Sequence, residues 1–323
     1  MTLIQNLAAK AVADTSLRST RSSRPITAAP LAFSQALAGG CYENIETRLD
    51  PASKAFWCYV RPRGKPIVSR GVLSDLAHVQ ARLRSSFASG GDPGEVPFSY
   101  FVFASRTPGI FNLGGDLDHF AECARAGDRA AVRRYAYSCV DLLHQNMRAF
   151  DLPVVTMALV QGDALGGGFE WALSFDMIVA ERSAKMGLPE ILFNLFPGMG
   201  AYSFLSRRLD AARAQRMITS GQLYTAEQLH EMGVVDVLAE DGDGEAAVAR
   251  YVAKNAARHS AHLAIHQVRR RVNPVTLEEL RDVVDIWTDA VFRLTEADLR
   301  KMARLTSAQG KRLSRTVPAV AAE

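Results

Sequence analysis

GDALGGGFEWALSFDMIVAERSAKMGLPE, residues 162–190, reads as a glycine turn, a helix, a strand and a second turn, following a strand-like apolar run at residues 153–161. Gly166, Gly167 and Gly168 let the backbone approach a ligand closely. They stand where a helix begins, so unpaired N–H groups and the positive end of the helix dipole face that ligand. Such a turn suits an oxyanion. Glu170 lies inside the first turn of the helix, which carries Trp171 and Leu173, and Glu190 follows the Gly187-Leu188-Pro189 turn. Two acids brought by separate elements to one glycine-lined turn can share the two proton transfers of a dehydration or hydration. Taken alone, the same residues also describe an ordinary helix start with an acidic first turn.

A second motif, Phe111-Asn112-Leu113-Gly114-Gly115-Asp116-Leu117, follows the apolar strand candidate at residues 98–104 and opens another helix. It places a second bare N–H, that of Gly115, at a strand-to-helix turn. Two such donors are what a thioester carbonyl needs to become an enolate or a tetrahedral oxyanion. Losing one typically costs on the order of 100- to 1000-fold in rate.

FNLGGDL, ALGGGFE, GLPEILF and PGMGAY, in this order and spacing, resemble the crotonase (enoyl-CoA hydratase/isomerase) superfamily over residues 55–311. Within it they look most like the synthases of diffusible signal factors, the cis-2-unsaturated fatty acids of quorum sensing. The resemblance implies an α/β fold with a ββα spiral core, an oxyanion hole from Gly115 and Gly167, and Glu170 and Glu190 as the catalytic pair. Leu113, Gly114, Leu165 and Gly166 flank the two amides and are expected substrate contacts. Met199 and Trp287, core residues on their own, match positions that line the acyl pocket of the synthases. The implied substrate is a 3-hydroxy fatty acyl thioester on acyl carrier protein, with coenzyme A as a substitute carrier. Dehydration and then hydrolysis would release the free acid. A homotrimer or hexamer and a regulatory contact with a sensor kinase are also implied by the resemblance. No cofactor or metal is expected.

Two other readings stay open. Hydratases usually carry N-G-Y-A-L-G-G-G-C-E around the first glutamate, whereas this chain has Gln161-Gly162-Asp163-Ala164 and Phe169. Where many hydratases have G-T-Q-R it has Ala201-Tyr202-Ser203-Phe204. These departures favour a signal synthase over an enoyl-CoA hydratase or isomerase. The remaining reading, a non-catalytic binding or regulatory protein on the same fold, is disfavoured by the presence of both acids.

The chain has 323 residues, 48% hydrophobic and 22% charged, enough for one large core or two modest ones. No apolar run reaches a membrane span, so no membrane insertion is expected. Cys41, Cys58, Cys123 and Cys139 form no C-x-x-C pair, which suits a reducing cytoplasm. The net charge of +4 is small for this length and argues against a nucleic-acid binder, and Lys10, Arg18, Arg21 and Arg24 against Asp14 put +3 of it into the first thirty residues, leaving the rest close to neutral. Residues 1–40 are expected to be a disordered leader, and residues 313–323 a flexible tail.

Between them the core is expected over residues 41–243. Strands are predicted at 43–49 and 55–60, and a helix at 72–88. Helices at 117–126 and 129–150 follow, the second apolar at Val132, Tyr135, Val140, Leu143 and Met147. After residues 240–244 the pattern turns wholly helical. That region, 244–312, must cover either the core or a neighbouring subunit, and the resemblance assigns it to assembly and to closing the acyl site. His259, His262 and His266 share helical spacing but lack the carboxylate of a hydrolytic zinc motif. Arg133-Arg134, Arg207-Arg208 and Arg269-Arg270-Arg271 read as solvated faces or as contacts for phosphate or an acidic carrier. Asp116 reads as a helix cap. No serine or cysteine nucleophile motif, dinucleotide fingerprint or P-loop occurs.

Overall fold

Unbroken apolar runs, rather than alternating ones, predict strands covered on both faces. The computed structural model, which describes residues 42–88 and 96–316 (side chains to residue 307), has such strands. β1 (Ile45–Asp50), β2 (Ala55–Val60), β3 (Tyr100–Ser105), β5 (Val155–Val160), β7 (Met177–Glu181) and β10 (Val237–Ala239) form one sheet in the order β1-β2-β3-β5-β7-β10. Only β1 runs antiparallel to its neighbour. Alternate residues of these strands serve two cores. Phe56, Phe101, Phe103, Ala158 and Ile178 face one, and Trp57, Tyr59, Val102, Met157 and Val179 face the other.

Each of β3, β5 and β7 is followed at once by a short strand in a second sheet: β4 (Gly109–Asn112), β6 (Gly162–Leu165) and β8 (Lys185–Gly187). With β9 (Leu223–Thr225) they stand in the order β4-β6-β8-β9, the first three parallel. The chain thus winds as a spiral that leaves one strand in each sheet per turn. No second sheet is legible in the sequence. Strands of three or four residues with a glycine in most of them carry too little periodicity to be seen. Gly162 belongs there because a Cβ would run into the Gly109 backbone on the neighbouring strand.

The helices are α1 (Arg70–Ala88), α2 (Leu117–Ala126), α3 (Arg129–Met147), α4 (Gly167–Leu173), α5 (Ala201–Arg208), α6 (Ala211–Ser220) and α7 (Ala226–Glu231). In the C-terminal region they are α8 (Gly244–Asn255), α9 (His259–Val272), α10 (Leu277–Val291) and α11 (Glu296–Thr316). Asp116 caps α2 through the His119 amide, and Thr225 with Gln228 closes a capping box on α7. α3 does not run to Phe150. It stops at Met147, and Ala149, Phe150 and Asp151 take φ of 48°, 59° and 60°. That left-handed turn swings the fully buried Phe150 ring onto Phe101, centroids 4.8 Å apart, and the packing offsets the backbone strain. The expected leader lies outside the described residues, as do residues 317–323.

The helical C-terminal region covers its own chain. α8 contributes Ala247, Val248 and Val252 to the second core, and α10 lies along α3, tied by Arg281 to Asp141 at 2.9 Å. α9 is anchored through Asp176, 3% exposed at the head of β7. Its carboxylate accepts from the Thr156 amide and hydroxyl, from Arg270 and from Arg269, with His266 at 3.8 Å. Burial raises the Asp176 pKa, but the cations outweigh it and hold the group below the usual carboxylate range. Arg269 and Arg270 are therefore spent inside the molecule, as is Arg208, which donates to the Phe175 carbonyl. None of the three is a free carrier contact. His259 packs edge-on to Tyr100, and His262 Nδ1 lies 3.3 Å from the Tyr251 hydroxyl. Asp176→Ala strands two guanidinium groups and is expected to cost about 3–5 kcal/mol, read in a urea melt together with lost hydrogen-exchange protection in α9.

Candidate active site

The parallel strands β4, β6 and β8 end at one edge of the second sheet, where each hands over to a turn. β4 delivers Leu113, Gly114 and Gly115, β6 delivers Gly166 and Gly167, and β8 delivers Leu188, Pro189 and Glu190. Ligand sites of parallel sheets lie at these carboxyl ends, where helix N-termini and bare amides converge.

The two glycine turns touch. Gly114, at φ 94°, would with a Cβ come within 2.8 Å of the Leu165 carbonyl oxygen and 3.1 Å of the Gly167 nitrogen. A Cβ on Gly167 would lie 3.3 Å from the Gly115 nitrogen. Neither the Gly115 nor the Gly167 N–H donates a hydrogen bond among the described residues. The first turn is braced by the buried Asn112 side chain, whose Oδ1 accepts from the Gly114 amide at 2.8 Å.

Glu170, in the first turn of α4 and 1% exposed, accepts at Oε1 from the amides of Met199 (2.7 Å) and Ala201 (2.9 Å). The Pro197-Gly198-Met199-Gly200 turn before α5 thus aims the carboxylate. Glu190 sits in a single helical turn, Pro189–Phe193, against Gly166, and its Oε2 is buried with no hydrogen-bond partner among the described residues. Burial pushes the Glu170 carboxyl up to about 7, with its two backbone donors pulling the other way. Burial and the neighbouring Glu170 charge push Glu190 to about 8. The pair thus titrates as a unit, holding one proton between the two steps, and the donors on Glu170 bias that proton toward Glu190.

Two adjoining cavities meet here. The inner one, about 40 Å³, is lined by Gly115, Gly167, Glu170, Glu190, Met199 and Trp287, closed behind by Phe120, Tyr135, Ala136 and Cys139. The outer one, about 180 Å³, is lined by Leu113, Gly114, Gly115, Leu165, Gly166, Gly167 and Glu190 with Leu192, Phe193 and Leu305. Of the ten residues expected at the site, Gly115, Gly167, Glu170, Glu190, Met199 and Trp287 line the inner cavity, and Leu113, Gly114, Leu165 and Gly166 line the outer one. Trp287 reaches the inner cavity from α10, flat against Gly198 and edge-on to Phe120 at 4.9 Å. The α3 wall was missed, because Tyr135 and its neighbours on α3 read as an ordinary apolar stripe. A cleft of about 580 Å³ between α1 and α3 lacks the acid pair, and its Asp141 is taken by Arg281.

Residues 98–301 match the enoyl-CoA hydratase/isomerase family, and the chain belongs to that family. It is 35% identical over 172 residues to the 2,3-dehydroadipyl-CoA hydratase of Escherichia coli, covering 52% of this chain and 63% of that one. The chain spans about three fifths of the length of such curated relatives. Among solved structures, a Streptomyces avermitilis protein described as an enoyl-CoA hydratase superposes with a TM-score of 0.64 at 25% identity, covering 83% of this chain and 91% of that chain. Pseudomonas aeruginosa DspI shares the fold, with a TM-score of 0.55 at 21% identity over 84% of this chain and 96% of its own.

Proposed function

We propose that the protein moves water across the C2–C3 bond of an acyl thioester, and that it works as a dehydratase on 3-hydroxyacyl groups. The observation that carries this is the enclosure of two unengaged amides and one shared-proton carboxylate pair in a single chamber. The thioester oxygen sits between the Gly115 and Gly167 N–H groups, which stabilise the enolate left when the C2 proton departs. One carboxylate takes that proton while the protonated one gives its own to the C3 hydroxyl, which leaves as water. In a second step water adds to C1 in the same oxyanion site and the carrier thiol departs, releasing a 2-unsaturated acid. Phe169 and the residues 201–204 departures support this synthase-like reading, with a cis-2-unsaturated signal acid as product.

One observation favours a plain enoyl-CoA hydratase instead. A space of 40 Å³ takes on the order of three waters, so it accepts the reacting carbons but no long tail unless Trp287 or Phe120 yields. Purified protein given 3-hydroxydodecanoyl carrier protein and, separately, crotonyl-CoA separates the readings by mass spectrometry. Free 2-dodecenoic acid supports the synthase. Fast crotonyl-CoA hydration with no free acid supports the hydratase and sinks the first reading.

The pH profile has a definite sign. Below about pH 7 both acids are protonated and no base remains, and above about pH 8 both are ionised and no acid remains. Turnover is expected to peak between those limits, falling tenfold per pH unit on either side. A flat profile from pH 5 to 10 would remove the shared-proton pair from the mechanism.

For the carrier, the loop bearing Arg61, Arg63 and Lys65 is hydrogen-bonded to the oxyanion turn, Leu113 N to Pro66 O and Val68 N to Gly114 O, each 2.8 Å. Lys65 pairs with Asp118 and Arg63 faces Glu43 at 3.4 Å, so the exposed Arg61 is the cation of this loop that best suits the phosphate of phosphopantetheine or coenzyme A. A trimer through α9 accords with Ile265, Val268 and Val272, which form a stripe 60–68% exposed. A monomer mass by light scattering would reject it.

A further inference from the structure

We propose that Tyr135 is the positioning residue for the Gly115 half of the oxyanion hole, an inference that rests on the thioester reading above. The two donors are held in different ways. The Gly167 amide opens α4, and the Gly166 carbonyl before it is locked by the Phe169 and Glu170 amides at 2.9 and 3.0 Å. The Gly115 amide precedes its helix by two residues and has no such lock. Its peptide group is held instead at the Gly114 carbonyl, which accepts from Val68 N at 2.8 Å.

Tyr135, 5% exposed on α3, completes that hold from both sides. Its hydroxyl donates to the Val68 carbonyl and accepts from the Asp116 amide at 3.3 Å. The circuit runs from Tyr135 through Val68 to the peptide that carries the Gly115 N–H, and returns through the next peptide along. The bond at the Gly114 carbonyl polarises the Gly115 N–H of the same peptide, while the Tyr135 hydroxyl aims that peptide by fixing Val68 on one side of it and Asp116 on the other. The ring packs edge-on to Phe120 at 5.2 Å, and Phe120 in turn fills the place of a Cβ on Gly115. Phenylalanine at 135 would keep that packing and lose only the hydroxyl.

The test uses crotonyl-CoA carrying ¹³C at the carbonyl, bound to the full-length protein and followed by infrared difference spectroscopy. In the wild type the carbonyl band moves to lower frequency than in water. In Tyr135→Phe the shift shrinks and kcat for hydration falls about tenfold, a fraction of the loss for a whole oxyanion donor, while KM and crotonyl-CoA affinity hold. Site-specific 3-fluorotyrosine at 135 conserves size and weakens the phenol oxygen as an acceptor. Because it also strengthens the hydroxyl as a donor to the Val68 carbonyl, it is expected to displace the band from its wild-type position, and it serves if the phenylalanine variant does not fold. An unchanged band and kcat in a folded variant, even one with a lower melting temperature, assigns the hydroxyl to stability alone and overturns the proposal. A wild-type band at its aqueous position overturns the thioester reading itself, and this inference with it.

Discussion

Glu190→Gln is expected to lower kcat about 1000-fold, within the range for a positioned acid or base, and yet to raise the melting temperature at pH 9 by a few degrees. Both effects come from one fact. The carboxyl is sealed against Gly166 with Oε2 unpartnered among the described residues, so ionising it is costly in the folded chain and cheap in the unfolded one. With its folded pKa raised, the native state binds more protons than the unfolded state between the ordinary carboxylate value and about pH 8. Stability is therefore highest below the lower limit and declines as pH rises through the window. Glutamine removes the ionisation and the decline together. Glu170→Gln keeps an oxygen for the Met199 and Ala201 amides, so its turn stays in place while its proton transfer is lost. Crotonyl-CoA hydration and calorimetry at pH 6 and 9 read both variants. Undiminished turnover in the two would make the carboxylates structural and leave a binding protein on this fold.

Gly168→Ala should be, with Gly162→Ala, among the most costly single methyl groups in the described residues. A Cβ on Gly168 meets the carbonyl oxygen and carbon of Asn112, which are backbone atoms of β4 and have no rotamer to retreat into. The strand must shift, and β4 carries the Gly115 amide. Overpacking of this kind costs about 1–3 kcal/mol, and misplacing an oxyanion donor costs on the order of 100- to 1000-fold in rate. Gly167→Ala makes a useful contrast. Its Cβ meets the Met199 sulfur, the mobile part of a flexible side chain, so the fold should hold while the methyl group occupies the carbonyl's place. Near-normal kcat/KM in Gly168→Ala would show that the two turns are not rigidly coupled.

How much of this was legible follows from the range of each interaction. The long strands were legible because residues 55–60 are an unbroken apolar run and residues 155–160 are interrupted only by Thr156, and the caps at Asp116 and Thr225 are local hydrogen bonds between near neighbours. The glycine turns and the two acids were legible because their motifs sit within a few residues of one another. The second sheet was not, since β4, β6, β8 and β9 exist only by pairing with each other across the chain. Arg269 and Arg270 looked like a solvated run because their partner, Asp176, lies over ninety residues away in sequence.

The amino-acid order by itself determined which groups could do chemistry here: two bare amides at helix starts and two acids, each set by local backbone geometry. Tertiary structure alone decided that β4, β6 and β8 end side by side, that residues 199 and 201 turn Glu170 inward, and that Tyr135 reaches the Gly115 turn from a helix. The reason is physical. Dihedral preferences and caps act over three or four residues, whereas the sealing that raises two carboxyl pKa values exists only once distant segments have excluded water from between them.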